Sequence, residues 1–167
     1  MFRTTDPKQL SFNSFSAIGD QWMLITAGDK EKANTMTASW GGTGVLWNKN
    51  VVTCYVRPQR FTREFIDNNE FFSVSFLPEE YRKQLVYCGR VSGRNEDKIA
   101  GSGLTLCHDR QAPYFEEADT VFICKKLYVG ELKPEGIVYP ADDAANYPEK
   151  DYHIVYIGEI TEALTKS

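Results

Sequence analysis

Arg57, Arg60 and Arg63 crowd one short segment, Val56-Arg57-Pro58-Gln59-Arg60-Phe61-Thr62-Arg63, of a chain whose net charge is -4. The segment lies where a strand ends and a helix is expected to begin. Such a junction gathers guanidinium forks, a hydroxyl and free backbone N–H groups at one point. These groups suit a phosphate, because helix-start N–H groups and bidentate guanidinium groups both favour its oxygens. Upstream, Asn34-Thr35-Met36-Thr37-Ala38-Ser39-Trp40 reads as a polar, small-residue strand that ends in a large aromatic. A flat ring can lie against such a strand. The two segments together point to a phosphorylated, planar cofactor.

Each residue has a competing reading. Arg57, Arg60 and Thr62 either clamp a phosphate or decorate a solvated helix start. Asn34, Thr37 and Ser39 either meet the hydrogen-bonding edge of a ring or face water from an edge strand. Met36 and Ala38 share that strand, and Trp40 either closes a pocket or packs in the core. Lys98 follows a polar loop, within reach of a phosphate or a ring carbonyl oxygen, although a lone lysine there is usually just exposed. His153 is a proton-donor candidate beside a cofactor, or simply structural; His108 has less claim. No G-x-G-x-x-G follows a strand, and P-loop, H-E-x-x-H and G-x-S-x-G patterns are missing. Two histidines leave little material for a hydrolytic triad. If the chain is an enzyme, the difficult chemistry belongs to a bound cofactor.

The elements that must hold these groups follow from pattern. Residues up to about Ile18 read as an extended leading arm. Gln21–Ala27, Asn34–Trp40 and Val51–Val56 read as strands, with a turn at Gly28-Asp29-Lys30 and a flexible loop at Gly41-Gly42-Thr43-Gly44. Phe61, Phe65 and Ile66 fall at helical spacing and stop at Asn68-Asn69. Phe72–Phe76 alternates as a half-buried strand. Pro78-Glu79-Glu80 opens a helix in which Tyr81, Leu85 and Cys88 share a face, with Gly89 as its expected C′ residue. A polar loop, Ser92–Lys98, leads to a short helix. Asp119–Gly130 and His153–Ile160 are the last long strands, joined by the Pro-, Asp- and Tyr-rich connection Lys133–Tyr152. Short, closely spaced strands predict a mainly β fold, an antiparallel barrel with inserted helices, rather than βαβ units.

Bulk properties narrow the class. A chain of 167 residues is most simply one domain, 1–167. At this length a fold buries roughly 68–70% of its unfolded surface without a metal or disulfide staple. A pI of about 5.3 argues against nucleic acid as a partner, because a phosphate backbone requires a basic face. Aromatic residues make up 13%, which suits strands and flat-ligand pockets. Cys54, Cys88, Cys107 and Cys124 are too far apart for a metal knuckle or a C-x-x-C pair. With no apolar leader in Met1–Pro7 and no membrane-spanning run, four reduced thiols in the cytoplasm are expected.

The sequence resembles the flavin reductase-like, FMN-binding split-barrel proteins, especially their flavoredoxin-like branch. The resemblance is carried by Asp20–Gly28, Asn34–Gly42, Gly44–Trp47, Val56–Thr62, Ser92-Gly93-Arg94 with Asp97-Lys98, Asp151-Tyr152-His153 and Ile157–Ile160. These segments span nearly the whole chain in order. The resemblance implies a six-stranded Greek-key split barrel, a homodimer, and FMN near the subunit interface. By similarity, Asn34 and Met36, Thr37, Ala38, Ser39 and Trp40 line the isoalloxazine ring. Arg57, Arg60 and Thr62 bind the phosphate, helped by Lys98. NAD(P)H is the implied electron donor, stacking on the exposed flavin face. A redox protein partner is implied instead if the protein is an electron carrier, and a flavin-binding module without turnover is a third reading. The connection Lys133–Tyr152 is where a substrate lid is expected.

Overall fold

The computed structural model describes residues 1–166. In chain order it runs from β1 (Phe2–Thr5) through the short helix α1 (Ser14–Ser16) to β2 (Met23–Gly28), β3 (Ala33–Ala38), β4 (Gly41–Leu46) and β5 (Lys49–Val56). Helix α2 (Thr62–Asn68), β6 (Phe71–Phe76), α3 (Arg82–Arg90) and α4 (Lys98–Ser102) follow. The chain ends with β7 (Leu106–Cys107), β8 (Tyr114–Phe115), β9 (Thr120–Glu131), α5 (Pro140–Asn146) and β10 (Ile154–Lys166). One antiparallel sheet has the order β3-β2-β6-β9-β10-β5-β4, and β1 adds to β10. β7 and β8 form a separate small ribbon. The fold is mainly β with inserted helices, as expected, but the large sheet has eight strands where six were implied.

The two edge strands of that order, β3 and β4, are consecutive in sequence. Only Ser39 and Trp40 separate them, so this link draws the sheet edges together and closes the barrel while leaving it split. Gly41 makes the closure possible. A Cβ there would sit 2.5 Å from the Thr53 carbonyl oxygen, so no side chain fits. The glycine-rich segment is therefore not the flexible loop expected. It is β4, paired along its length with β5 from Gly41↔Cys54 to Leu46↔Lys49. The turn is Trp47-Asn48, with φ of 50° and 58°, the two left-handed residues a tight hairpin requires.

The apolar core has two layers. Met23, Ile25, Phe72, Val74, Phe122 and Tyr156 fill the barrel. Leu24, Leu77, Leu85, Cys88, Phe115 and Ile123 pack outside it, beneath α3 and the β7–β8 ribbon. Alternate residues of β2 thus enter different layers, which is why the strand is buried on both faces. The same holds for β6. Ser73 and Ser75 are buried rather than solvent-facing, and the Ser73 hydroxyl donates to the Pro113 carbonyl at 2.5 Å.

Three further boundaries differ from expectation. The leading arm contains a strand, β1, because β10 extends to Lys166 and offers it an edge. α3 runs through Gly89 to Arg90, with Val91 as its cap, so Gly89 does not stop the helix. The connection 133–152 contains α5 and is tied down by side chains described below. Among the described residues no helix is long and apolar enough to cross a membrane, and all four cysteines are free thiols.

Candidate functional site

Lys98 begins α4, behind the N-cap Asp97, whose carboxylate accepts from the Ala100 N–H. This placement turns its side chain inward, and the residue is 3% exposed, not the surface lysine its loop position suggests. Its Nζ donates to the carbonyls of Cys88 at 3.0 Å and Val91 at 3.2 Å, at the end of α3. Arg60 donates from Nη1 to the next carbonyl, Gly89, at 2.7 Å. Two cations therefore stopper the negative end of the α3 dipole. Among the described residues neither has a carboxylate partner. Burial, reinforced by Arg60, pulls the Lys98 ammonium down to about 8, with only Cys88 opposing. Burial and then Arg57 lower Arg60 as well.

Arg57, at the end of β5, differs. Its guanidinium pairs with Asp151 at 2.8 Å, donates to the Asn146 carbonyl at 3.0 Å and lies 5.3 Å from the centre of the Tyr147 ring. Thr62 is buried, and its hydroxyl accepts from the Asn34 carboxamide at 2.8 Å. Gly93 packs so closely on that carboxamide that an added Cβ would overlap it. Asn34 thus braces the site from β3. Arg57, Arg60, Thr62 and Lys98 all line one cavity of about 260 Å³, together with Arg90 and Ser92. Four of these six side chains are cationic, and among the described residues only Arg57 has a carboxylate partner, so the cavity suits an anion. Sequence reading missed Arg90 and Ser92; their one signal is that they flank the end of α3 beside Gly93.

The ring-lining residues divide. Thr37 and Ser39 line a second cavity of about 260 Å³ with Trp22, Leu85 and Gly89, and Arg90 borders both cavities. The Thr37 hydroxyl donates to the Leu85 carbonyl at 2.5 Å. Met36 is 4% exposed with its side chain in the barrel core, so it can meet a ligand only through backbone, while Ala38 is half-buried and packs against the same core. Trp40 is 47% exposed, and its ring lies 5.2 Å from that of His153. His153 is buried, with Nδ1 2.8 Å from the Tyr147 hydroxyl. Burial, then Arg57, push its pKa down to about 4, so the imidazole is neutral near pH 7.

Lys98 generates a sign-definite prediction. Its folded pKa lies below the unfolded value, so the unfolded chain holds more protons between about pH 8 and 10.5. Stability from this group therefore rises with pH across that window, by roughly 3 kcal/mol at most. Thermal unfolding of the parent and of Lys98→Met across pH 7.5–10.5 should show the parent gaining on the variant. Parallel curves would contradict the uncompensated charge.

A family model described as "Flavin reductase like domain" matches residues 15–167. No curated protein matches the chain. Among solved structures, flavoredoxin from Methanosarcina acetivorans is 27% identical with a TM-score of 0.67, over 88% of this chain and 69% of that one. An FMN-binding domain of flavin reductase-like enzymes from Shewanella baltica is 15% identical, TM-score 0.71, over 99% and 77%. An NADH:FAD oxidoreductase from Streptomyces globisporus is 16% identical, TM-score 0.66, over 87% and 75%. The last two show the fold alone. With the family model covering all but the first residues, the chain belongs to the flavin reductase-like domain family.

Proposed function

We propose that the chain binds FMN and works as an NAD(P)H-dependent flavin oxidoreductase. The phosphate would occupy the cavity of Arg57, Arg60, Thr62 and Lys98, and the ring would lie along Asn34–Trp40. The observation that carries this reading is Lys98, a buried ammonium held only by carbonyls at the wall of that cavity. A phosphate dianion supplies the missing counter-charge. FMN held there would supply the redox chemistry, as acceptor of a hydride from a nicotinamide donor. The chain's own residues do the rest. Lys98 and Arg60 hold the phosphate, Asn34 fixes Thr62 beside it, and Trp40 flanks the ring. A cytoplasmic setting belongs to the same reading and is supported by the four free thiols.

A homodimer is also part of the proposal. Trp40, Val45 and Trp47 are 47%, 72% and 63% exposed along β4 and at its two ends, apolar side chains that a second copy would cover. Sedimentation at micromolar concentration is expected to give about twice the 19.0 kDa chain mass; a monomer that retains FMN would contradict it. The second reading is an FMN electron carrier loaded by a redox protein. The 27% identical flavoredoxin favours it.

Calorimetric titration should show FMN binding more tightly than riboflavin. Arg60→Ala removes one charge-assisted contact, worth roughly 1.5–3 kcal/mol, and should weaken FMN by about ten- to a hundredfold while leaving riboflavin nearly unchanged. Equal affinities for both flavins in the parent would remove the phosphate assignment.

Anaerobic stopped-flow reduction separates the two redox readings. The reductase reading expects millimolar NADH or NADPH to bleach the flavin of the loaded protein, since the rings can stack at about 3–3.5 Å. Bleaching by dithionite but by neither nucleotide would leave the carrier reading.

A further inference from the structure

Helix α5 and the residues after it form a strap whose contacts converge on one phenol. Tyr147 caps α5, its N–H donating to the Asp143 carbonyl at 2.8 Å. Its ring is set between the Arg57 guanidinium, at 5.3 Å, and the Tyr152 ring, at 4.7 Å. Tyr152 is fixed in turn, its hydroxyl donating to Asp143 Oδ1 at 2.8 Å, while Lys150 holds Oδ2 at 2.9 Å. The direction of the Tyr147 hydroxyl is thereby determined from both sides. It meets His153 Nδ1 at 2.8 Å, inside the protein. The backbone of His153 is held separately, its carbonyl accepting from the Leu132 N–H at 2.9 Å. What remains free in His153 is rotation of the imidazole, and the Tyr147 contact removes it. The imidazole then lies 5.2 Å from Trp40 and 6.4 Å from Tyr55. Trp40 belongs to the two-residue link that closes the barrel and is otherwise half in solvent.

We propose that Tyr147 is a positioning residue for the flavin ring: through its hydroxyl it sets the His153 imidazole, which in turn sets the Trp40 indole against the ring. The proposal rests on the flavin placement given above. The strap is then not a loose lid but a brace for the ring end of the site. Because Tyr147 acts at that end, its loss must be felt by any flavin, with or without a phosphate. This separates it from Arg60, whose loss is felt only by the phosphorylated ligand.

The test is calorimetric titration of FMN and riboflavin into the parent, Tyr147→Phe, Trp40→Phe and the double variant, each checked for folding by thermal unfolding. Tyr147→Phe keeps the ring and removes one hydrogen bond. It should weaken FMN and riboflavin by the same factor, about three- to tenfold. In the Trp40→Phe background the same change should cost less than about twofold, since the path runs through Trp40. The parent provides a measurement independent of the variants: riboflavin binding should shift the ¹⁵N resonances of the His153 ring. Unchanged affinities in Tyr147→Phe, loss of FMN affinity alone, an undiminished effect in the Trp40→Phe background, or a His153 ring blind to riboflavin would each overturn the positioning role while leaving the flavin site standing. A parent that binds neither flavin would overturn the functional reading itself, and this role with it.

Discussion

The Lys98 ammonium rests on the carbonyls of Cys88 and Val91, and the Arg60 guanidinium on that of Gly89. Much of the site depends on this arrangement. A buried cation without a carboxylate is costly unless its donors are met. The last turn of α3 meets them with carbonyls that would otherwise lack partners and that carry the negative end of the helix dipole. Helix end and cations satisfy each other, yet positive charge remains uncancelled at the cavity wall. Had carboxylates filled this role, as Asp151 does for Arg57, the cavity would hold little attraction for an anion.

The barrel supplies the rest by geometry. Ser39 and Trp40 join the two sheet edges, so closure of the barrel and exposure of a large aromatic occur at the same two residues. The same strand, β3, reaches the cation-lined cavity through the Asn34–Thr62 hydrogen bond, and Gly93 packs against that amide. One short strand therefore fixes the distance between the charged end of the site and its aromatic end. Arg57 links both to the α5 strap through Asn146, Tyr147 and Asp151.

Much of this was legible in the sequence where the signal is local. Pro58 ends a strand, Phe61, Phe65 and Ile66 mark a helix, and the clustered Arg57 and Arg60 line one cavity. What was not legible depends on partners distant in sequence. Gly41–Gly44 looks like a loop until β5 is seen beside it. Ser73 and Ser75 look solvent-facing until the β7–β8 layer covers them. Lys98 looks exposed because nothing nearby in sequence reveals that α3 ends against it. The same reason hides the division among ring-lining residues: Met36 and Ala38 face the barrel, while Thr37 and Ser39 face outward, and a strand's alternation does not say which face carries the ligand. The family resemblance supplied positions but not these orientations.

The most direct test of the central claim is a crystal structure of the chain with FMN. The account predicts phosphorus inside the cavity bounded by Arg57, Arg60, Thr62 and Lys98, with a phosphate oxygen within hydrogen-bond distance of Lys98 Nζ and the ring running toward Trp40. Phosphorus in the larger cavity of about 450 Å³ beside Lys32 and His108, with Lys98 bound only to its helix carbonyls, would contradict it.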